Sequence, residues 1–199
     1  MRMSQMFDVV VNASGIAAVR AEVFLLSETT QVIFTTNGSS MTLLTAGTSV
    51  APDGGAFGQL RLIGWNNAGD ALFTGKQGSV LYFRQAGGPT TKVAGIGDAA
   101  PGTGGTFTAV TGWQLSNTPE VLFSVSIAGG SGASGLFAWR PSVGTRKVVA
   151  TGDANPSPVG GTFADAFTTA ALRWALSDAG TVAFAASSSV YLNTTGGTT

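Results

Sequence analysis

The sequence has no cysteine and no histidine. Without cysteine there is no disulfide framework, and redox compartment cannot be read from thiol usage. Without either residue, triads that use them and the usual zinc sites are excluded. Charge is also scarce, at 10% of residues against about 25% in an ordinary soluble domain. Ten basic residues balance ten acidic ones. Such a surface has no electrostatic reason to bind nucleic acid or an anionic membrane. It also lacks a barrier against self-association, so the expected partner is a second copy of the chain. Long apolar runs are missing too. No window approaches the ~20 apolar residues of a membrane span, and no membrane insertion is expected. The stretch Met1–Asp8 has no unbroken apolar segment, because Asp8 interrupts it. It does not read as a secretory signal, which leaves a cytoplasmic protein or a mature or trimmed chain.

Glycine is plentiful, at 29 of 199 residues, roughly twice the usual share. Thr, Ser, Ala and Val are abundant as well. This mixture suits short strands joined by tight turns and is poor material for helices. With 44% hydrophobic residues, the chain can bury a core.

Four segments align. They are Asn12–Val19, Asn66–Phe73, Ser116–Phe123 and Ser177–Phe184, all of the form [N/S]-x-x-[G/P]-x-x-apolar-apolar. A second set follows them: Val32-Ile33-Phe34, Leu81-Tyr82-Phe83, Gly135-Leu136-Phe137 and Val190-Tyr191-Leu192. A third set has three members, Thr42–Gly47, Lys92–Asp98 and Lys147–Asp153. A fourth comprises Gly54-Gly55-Ala56-Phe57, Gly104-Gly105-Thr106-Phe107 and Gly160-Gly161-Thr162-Phe163. Markers in one order at a period of ~50 to 60 residues define a tandem repeat. Runs of Val, Ile, Leu, Phe and Thr bounded by turn residues read as short strands. In the Asn/Ser-x-x-Gly start, Gly supplies the positive φ and Asn or Ser bonds nearby backbone. Asn37-Gly38 signals a hairpin.

The unit is therefore three strands, a loop and a fourth strand, which is the size and content of one propeller blade. The expected fold is all-β, a propeller-like tandem repeat of about 3.5 four-stranded units. The chain reads as a single repeat domain over residues 1–199, with units at about 12–60, 61–110 and 111–167 and a partial unit at 168–199. A strand at 7–11 belongs to an incomplete unit. Thr169–Leu176 has helix propensity, but it aligns with Val110–Leu115, Trp174 on Trp113, and is assigned as a strand. Three closures fit: the N-terminal strand joins the C-terminal strands, open β edges meet a neighbouring copy as a ring or head-to-tail filament, or the chain is part of a longer array.

The pattern resembles the bacterial tandem-repeat proteins named for an N-x-x-G-x-x-A-F motif. Asn66–Phe73 fits that motif with Leu72 in the Ala position, and Ser177–Phe184 fits with Ser for Asn. Val93–Phe107 matches the family's V-A-x-x-G-D-x-x-P-G-x-G-G-T-F segment. Val148–Phe163 carries an insertion around Ser157-Pro158-Val159. The first unit departs most, with Thr48 where Asp is expected and Ala56 for Thr. The resemblance implies a propeller-like β fold and an extracellular or cell-surface location. It supplies no activity and no catalytic residue.

Few residues invite chemistry. Asp98 and Asp153 recur in a Gly-Asp-x-x-Pro loop and are candidate ligands for a hard cation such as Ca²⁺. One carboxylate per loop falls short of the six to eight oxygens Ca²⁺ takes, and a turn Asp bonding its own backbone is the simpler reading. Trp65 and Trp139 are candidate platforms for stacking a sugar ring. Asn12, Asn37 and Asn193 head glycosylation sequons, which a Ser/Thr-rich sequence produces by chance. No catalytic residue, metal or cofactor is expected. The expected function is a non-enzymatic structural repeat protein that self-assembles. The alternative is a carbohydrate- or ligand-binding module, and a carboxylate-based hydrolase is the remote third.

Overall fold

The computed structural model describes residues 2–25, 28–156, 160–164, 167, 174–186, 189–194 and 197–198. The protein is all-β, with four sheets. The first holds β1 (Arg2–Val11), β2 (Ala17–Leu25), β3 (Glu28–Thr36) and β4 (Met41–Ala46). The second holds β5 (Arg61–Trp65), β6 (Ala71–Gly75), β7 (Val80–Arg84) and β8 (Thr90–Gly95). The third holds β9 (Ala99–Ala100), β10 (Gly105–Leu115), β11 (Val121–Ala128), β12 (Ser134–Arg140) and β13 (Gly144–Ala150). The fourth holds β14 (Trp174–Leu176), β15 (Val182–Ala186), β16 (Ser189–Thr194) and β17 (Gly197–Thr198). Strands are neighbours in chain order within every sheet, as hairpin connections dictate. The only helical segment among the described residues is one 3₁₀ turn at Lys76–Gly78.

Hydrogen bonding groups the strands in a different phase from the sequence markers. The strand before each Asn/Ser turn pairs with the strand after it: β1 with β2, β5 with β6, β10 with β11 and β14 with β15. The strand expected at 7–11 in an incomplete unit thus lies within β1, at the edge of a four-stranded sheet. Trp174–Leu176 is a strand as expected, while 168–173 lie outside the described residues, as does the 157–159 insertion. The chain divides into two compact units, 1–94 and 95–199.

Cross-strand register fixes the equivalences. Val19, Phe73, Phe123 and Phe184 pair with Phe34, Tyr82, Phe137 and Tyr191. Tyr82, not Phe83, is therefore the counterpart of Phe34 in the second sheet. Directly opposed residues share a face, so each sheet has one face carrying this pair. The aromatic of the Gly-Gly-x-Phe marker completes a trio on it. Phe57 meets Phe73 and Tyr82 at ring-centroid distances of 5.5 and 4.9 Å. Phe107 meets Phe123 and Phe137 at 6.0 and 5.1 Å. Phe163 meets Phe184 and Tyr191 at 5.8 and 5.0 Å. Edge-to-face packing with a stacked pair is the arrangement that the ring quadrupole favours.

Sheets stack through this aromatic face. In the first unit, Ala18 and Ile33 on the opposite face of the first sheet pack with Phe57, Leu62, Phe73 and Tyr82. In the second unit, Leu122 and Leu136 of the third sheet pack in the same way with Phe163, Leu176, Phe184 and Tyr191. One geometry of sheet on sheet thus occurs once in each unit.

Candidate functional site

The four marker turns are built alike. The amide of the first residue donates to the carbonyl four residues on in each: Asn12 to Ile16, Asn66 to Asp70, Ser116 to Glu120 and Ser177 to Thr181, at 3.1, 3.1, 3.0 and 2.9 Å. The first side chain accepts the returning amide, at Asn12 Oδ1 from Ile16 (3.0 Å), Asn66 Oδ1 from Asp70 (2.8 Å), Ser116 Oγ from Glu120 (3.3 Å) and Ser177 Oγ from Thr181 (3.1 Å). Gly15, Gly69 and Gly180 have φ of 75°, 85° and 80°, a region that costs other L-residues strain. Neighbouring turns are also tied together. The Ala13 amide donates to Asn67 Oδ1 at 2.8 Å, and the Asn117 amide donates to Asp178 Oδ1 at 2.8 Å. The Asn117 side-chain amide, which donates to Asp178 Oδ2 at 2.9 Å, and then the backbone amide hold the Asp178 carboxyl below its ordinary value. The motif is a scaffold that ties neighbouring sheets together within each unit.

The recurring Asp loops resolve the same way. The Asp153 amide donates to the Ala150 carbonyl, its Oδ2 accepts the Ala150 amide at 2.8 Å, and Lys147 Nζ lies 2.7 Å from Oδ1. Asp98 repeats the pattern on Gly95, with Oδ2 2.8 Å from the Gly95 amide. Each carboxylate closes a turn. Among the described residues, no three acidic side chains come together as a cation site would need. The residue that takes this place in the first sheet is Ser49. Its amide donates to Ala46 and its carbonyl accepts from Phe57, matching Asp98 with Gly95 and Phe107. The alignment had set Thr48 there.

Trp139 is only 5% exposed, so its ring offers no face to a sugar, which corrects its candidacy as a stacking platform. Trp65 is half-buried and packs on the core of the first unit. Its Nε1 is buried without a hydrogen-bond partner. Trp113 and Trp174 pair opposite Phe123 and Phe184 and are equivalent, as aligned.

Two clusters escaped sequence reasoning. In the first unit, Asp53 accepts from Tyr82 Oη at 2.8 Å and from Lys76 Nζ at 2.8 Å. Lys76 and Gln77 hold φ of 50° and 60°, uncommon for residues with a Cβ. Burial alone would raise the Asp53 pKa, but the hydrogen bonds from Lys76 and Tyr82 outweigh it and hold the carboxyl below its ordinary value. Burial, and then the Asp53 bond, push the Tyr82 hydroxyl well above its usual range. A phenol so held is no base at neutral pH, so the trio acts as a clamp between a loop and a strand. In the second unit, Glu120 is fully buried. Arg140 Nη2 lies 2.6 Å and Arg146 Nη2 3.1 Å from its carboxylate, and Arg146 also reaches Asn193 Oδ1 at 2.8 Å. A buried carboxylate persists when it is paired and hydrogen-bonded. The signal was present in the alignment, since Asp70 and Glu120 hold the same turn position and both are buried.

Two strands expose apolar side chains, and one groove lies in the first unit. Met3, Met6, Val9 and Val11 of β1 are 50%, 56%, 51% and 60% exposed. They lie opposite Val23, Ala21, Val19 and Ala17, and therefore on one face, because two register shifts in β1 absorb the odd spacing. In the fourth sheet, Val190 and Leu192 are 74% and 46% exposed. A groove of about 420 Å³ in the first unit is lined by Leu44, Thr45, Val50, Pro52, Arg84 and Thr90, among others.

The profile of one family, the Family of unknown function (DUF7453), matches residues 2–195. The chain belongs to that family. No curated protein and no solved structure matches the chain. The DUF7453 match runs from β1 through β16, so the turns and the aromatic trios all lie inside it.

Proposed function

We propose that this DUF7453 protein is a non-enzymatic structural module. Its sheets are blades of a propeller-like array, and it self-assembles on a cell surface or outside the cell. The observation that carries this reading is the exposed apolar side chains of β1 and β16 on a chain of zero formal net charge. Contiguous exposed apolar surface marks interaction sites, and a chain with little charge has little to oppose association. Chain-order meanders of four or five strands support the blade reading, as does contact between the strands that precede the marker turns, β1 with β5 in one unit and β10 with β14 in the other. The resemblance to N-x-x-G-x-x-A-F repeat proteins supports the location. The test is native mass by light scattering over a hundredfold range of concentration. Rising mass supports the proposal, and a monomer throughout removes it.

A second reading, a carbohydrate-binding module, rests on the groove beside Arg84. Arg84 Nε is buried there without a partner, while Thr45, Ser49 and Thr90 bring hydroxyls of the kind that bind sugars. Glycan-array binding that Arg84→Ala abolishes supports it; a blank array removes it.

A further inference from the structure

The junction of two stacked sheets is built once in each unit, and its charged groups differ between the two. Arg84 lies two residues beyond Tyr82, which pairs with Phe73, and Asn193 lies two residues beyond Tyr191, which pairs with Phe184. Arg84 and Asn193 therefore hold one position. In the second unit, Asn193 Oδ1 accepts from Arg146, and Arg146 reaches the buried Glu120 carboxylate. In the first sheet, Thr42 takes the place of Arg146. It pairs with Thr35 next to Phe34, as Arg146 pairs with Ala138 next to Phe137. Ile16 takes the place of Glu120 in the marker turn. The first unit thus sets a cation, Arg84, at this junction and has lost the acid of its counterpart.

Arg84 is half-buried. Among the described residues its guanidinium forms no ion pair, and its one hydrogen bond runs from Nη1 to Thr90 Oγ1 at 3.3 Å. Nε is buried without an acceptor. A guanidinium carries five N–H donors, so most of these lack a partner. Two acids of the same unit are committed elsewhere. Asp70 accepts from Asn66 Nδ2 and the Ala86 amide, each at 2.9 Å, and Asp53 accepts from Lys76 and Tyr82. Arg84 is the one charged side chain lining the groove of about 420 Å³, beside Leu44, Ser49, Val50 and Thr90. A partly desolvated cation short of acceptors favours an anion that can enter.

From this we infer that the groove binds an acidic sugar, a uronic acid unit of an oligosaccharide. The sugar carboxylate meets the Nη donors of Arg84 and supplies the charge that Glu120 supplies in the second unit. Ser49 and Thr90 offer hydroxyls to the ring hydroxyls, and Val50 offers an apolar contact. The inference rests on the carbohydrate-binding reading above and names the class of sugar.

Calorimetric titration of the full chain with oligomers of galacturonate and glucuronate, and with their neutral counterparts, tests it. The acidic oligomers should bind at least tenfold more tightly than the neutral ones, and NaCl at about 0.5 M should weaken them. Arg84→Gln should cost at least tenfold in affinity for the acidic oligomers. Val50→Glu sets a negative charge on the groove at a position 78% exposed, and should weaken the same oligomers with the fold intact by circular dichroism. Equal affinity for acidic and neutral oligomers overturns the inference and leaves the carbohydrate reading standing. Acidic-oligomer binding that both variants leave unchanged lies at another site and also overturns it. No binding of the acidic oligomers overturns it as well, while the carbohydrate reading falls only if the glycan array is blank.

Discussion

At the residue scale, the polar side chains with the strongest geometry brace loops. The Asp53 carboxylate, with Lys76 and Tyr82 on its two oxygens, has a consequence in acid. Its folded-state pKa is lowered, so its contribution is present above the unfolded value and lost as pH falls through the folded one. Wild-type stability should therefore drop as pH falls from about 5 towards 2. Asp53→Asn cannot ionise, so it should be less stable near neutrality and show a flatter acid limb. Urea denaturation at a series of pH values measures both. A variant whose curve parallels the wild type would show that Asp53 does not couple to folding. None of this was legible in the sequence, because Asp53, Lys76 and Tyr82 are distant along the chain and form no local pattern.

At the element scale, the turns and strands were legible, and strand phase was not. The Asn/Ser-x-x-Gly turns carry their own hydrogen-bond chemistry and read directly. A strand buried on both faces carries no alternation, so Leu81-Tyr82-Phe83 gave no sign of which residue faces which way. The ladder supplies it, placing Tyr82 opposite Phe73. The same ambiguity hid the grouping of each first strand with the three that follow its turn. The aromatic trios give these sheets a checkable energetic centre. Phe57 and Phe107 are 3% and 2% exposed, and truncating a buried Phe to Ala typically costs ~3–5 kcal/mol. Phe57→Ala and Phe107→Ala should each lose that much. Leu43→Ala, on β4 at 58% exposure, should stay within about 0.5 kcal/mol of wild type. Chemical denaturation ranks the three. Equal losses at Phe57 and Leu43 would mean that the trio does not hold the sheets.

At the scale of the whole molecule, composition tells how copies would join. Charged residues are 10% of the chain and cancel in sign, while Met3, Met6, Val9, Val190 and Leu192 are exposed on β1 and β16. The sequence could not reveal the opening, since Val190-Tyr191-Leu192 reads like its buried counterparts and only the fold shows that one side is uncovered. Contact through these side chains is hydrophobic, with a temperature and salt signature that differs from ion pairing. Raising NaCl to about 0.5 M screens exposed charge pairs and should leave the association constant nearly unchanged. Sulfate should strengthen it, cooling from room temperature should weaken it, and the heat-capacity change on association should be negative. Sedimentation velocity in NaCl and in sulfate, with dilution calorimetry at two or more temperatures, measures all four. Association that collapses as NaCl rises would place the contact on charged side chains. The exposed apolar side chains would then be excluded as the joining surface, whatever the oligomer's size.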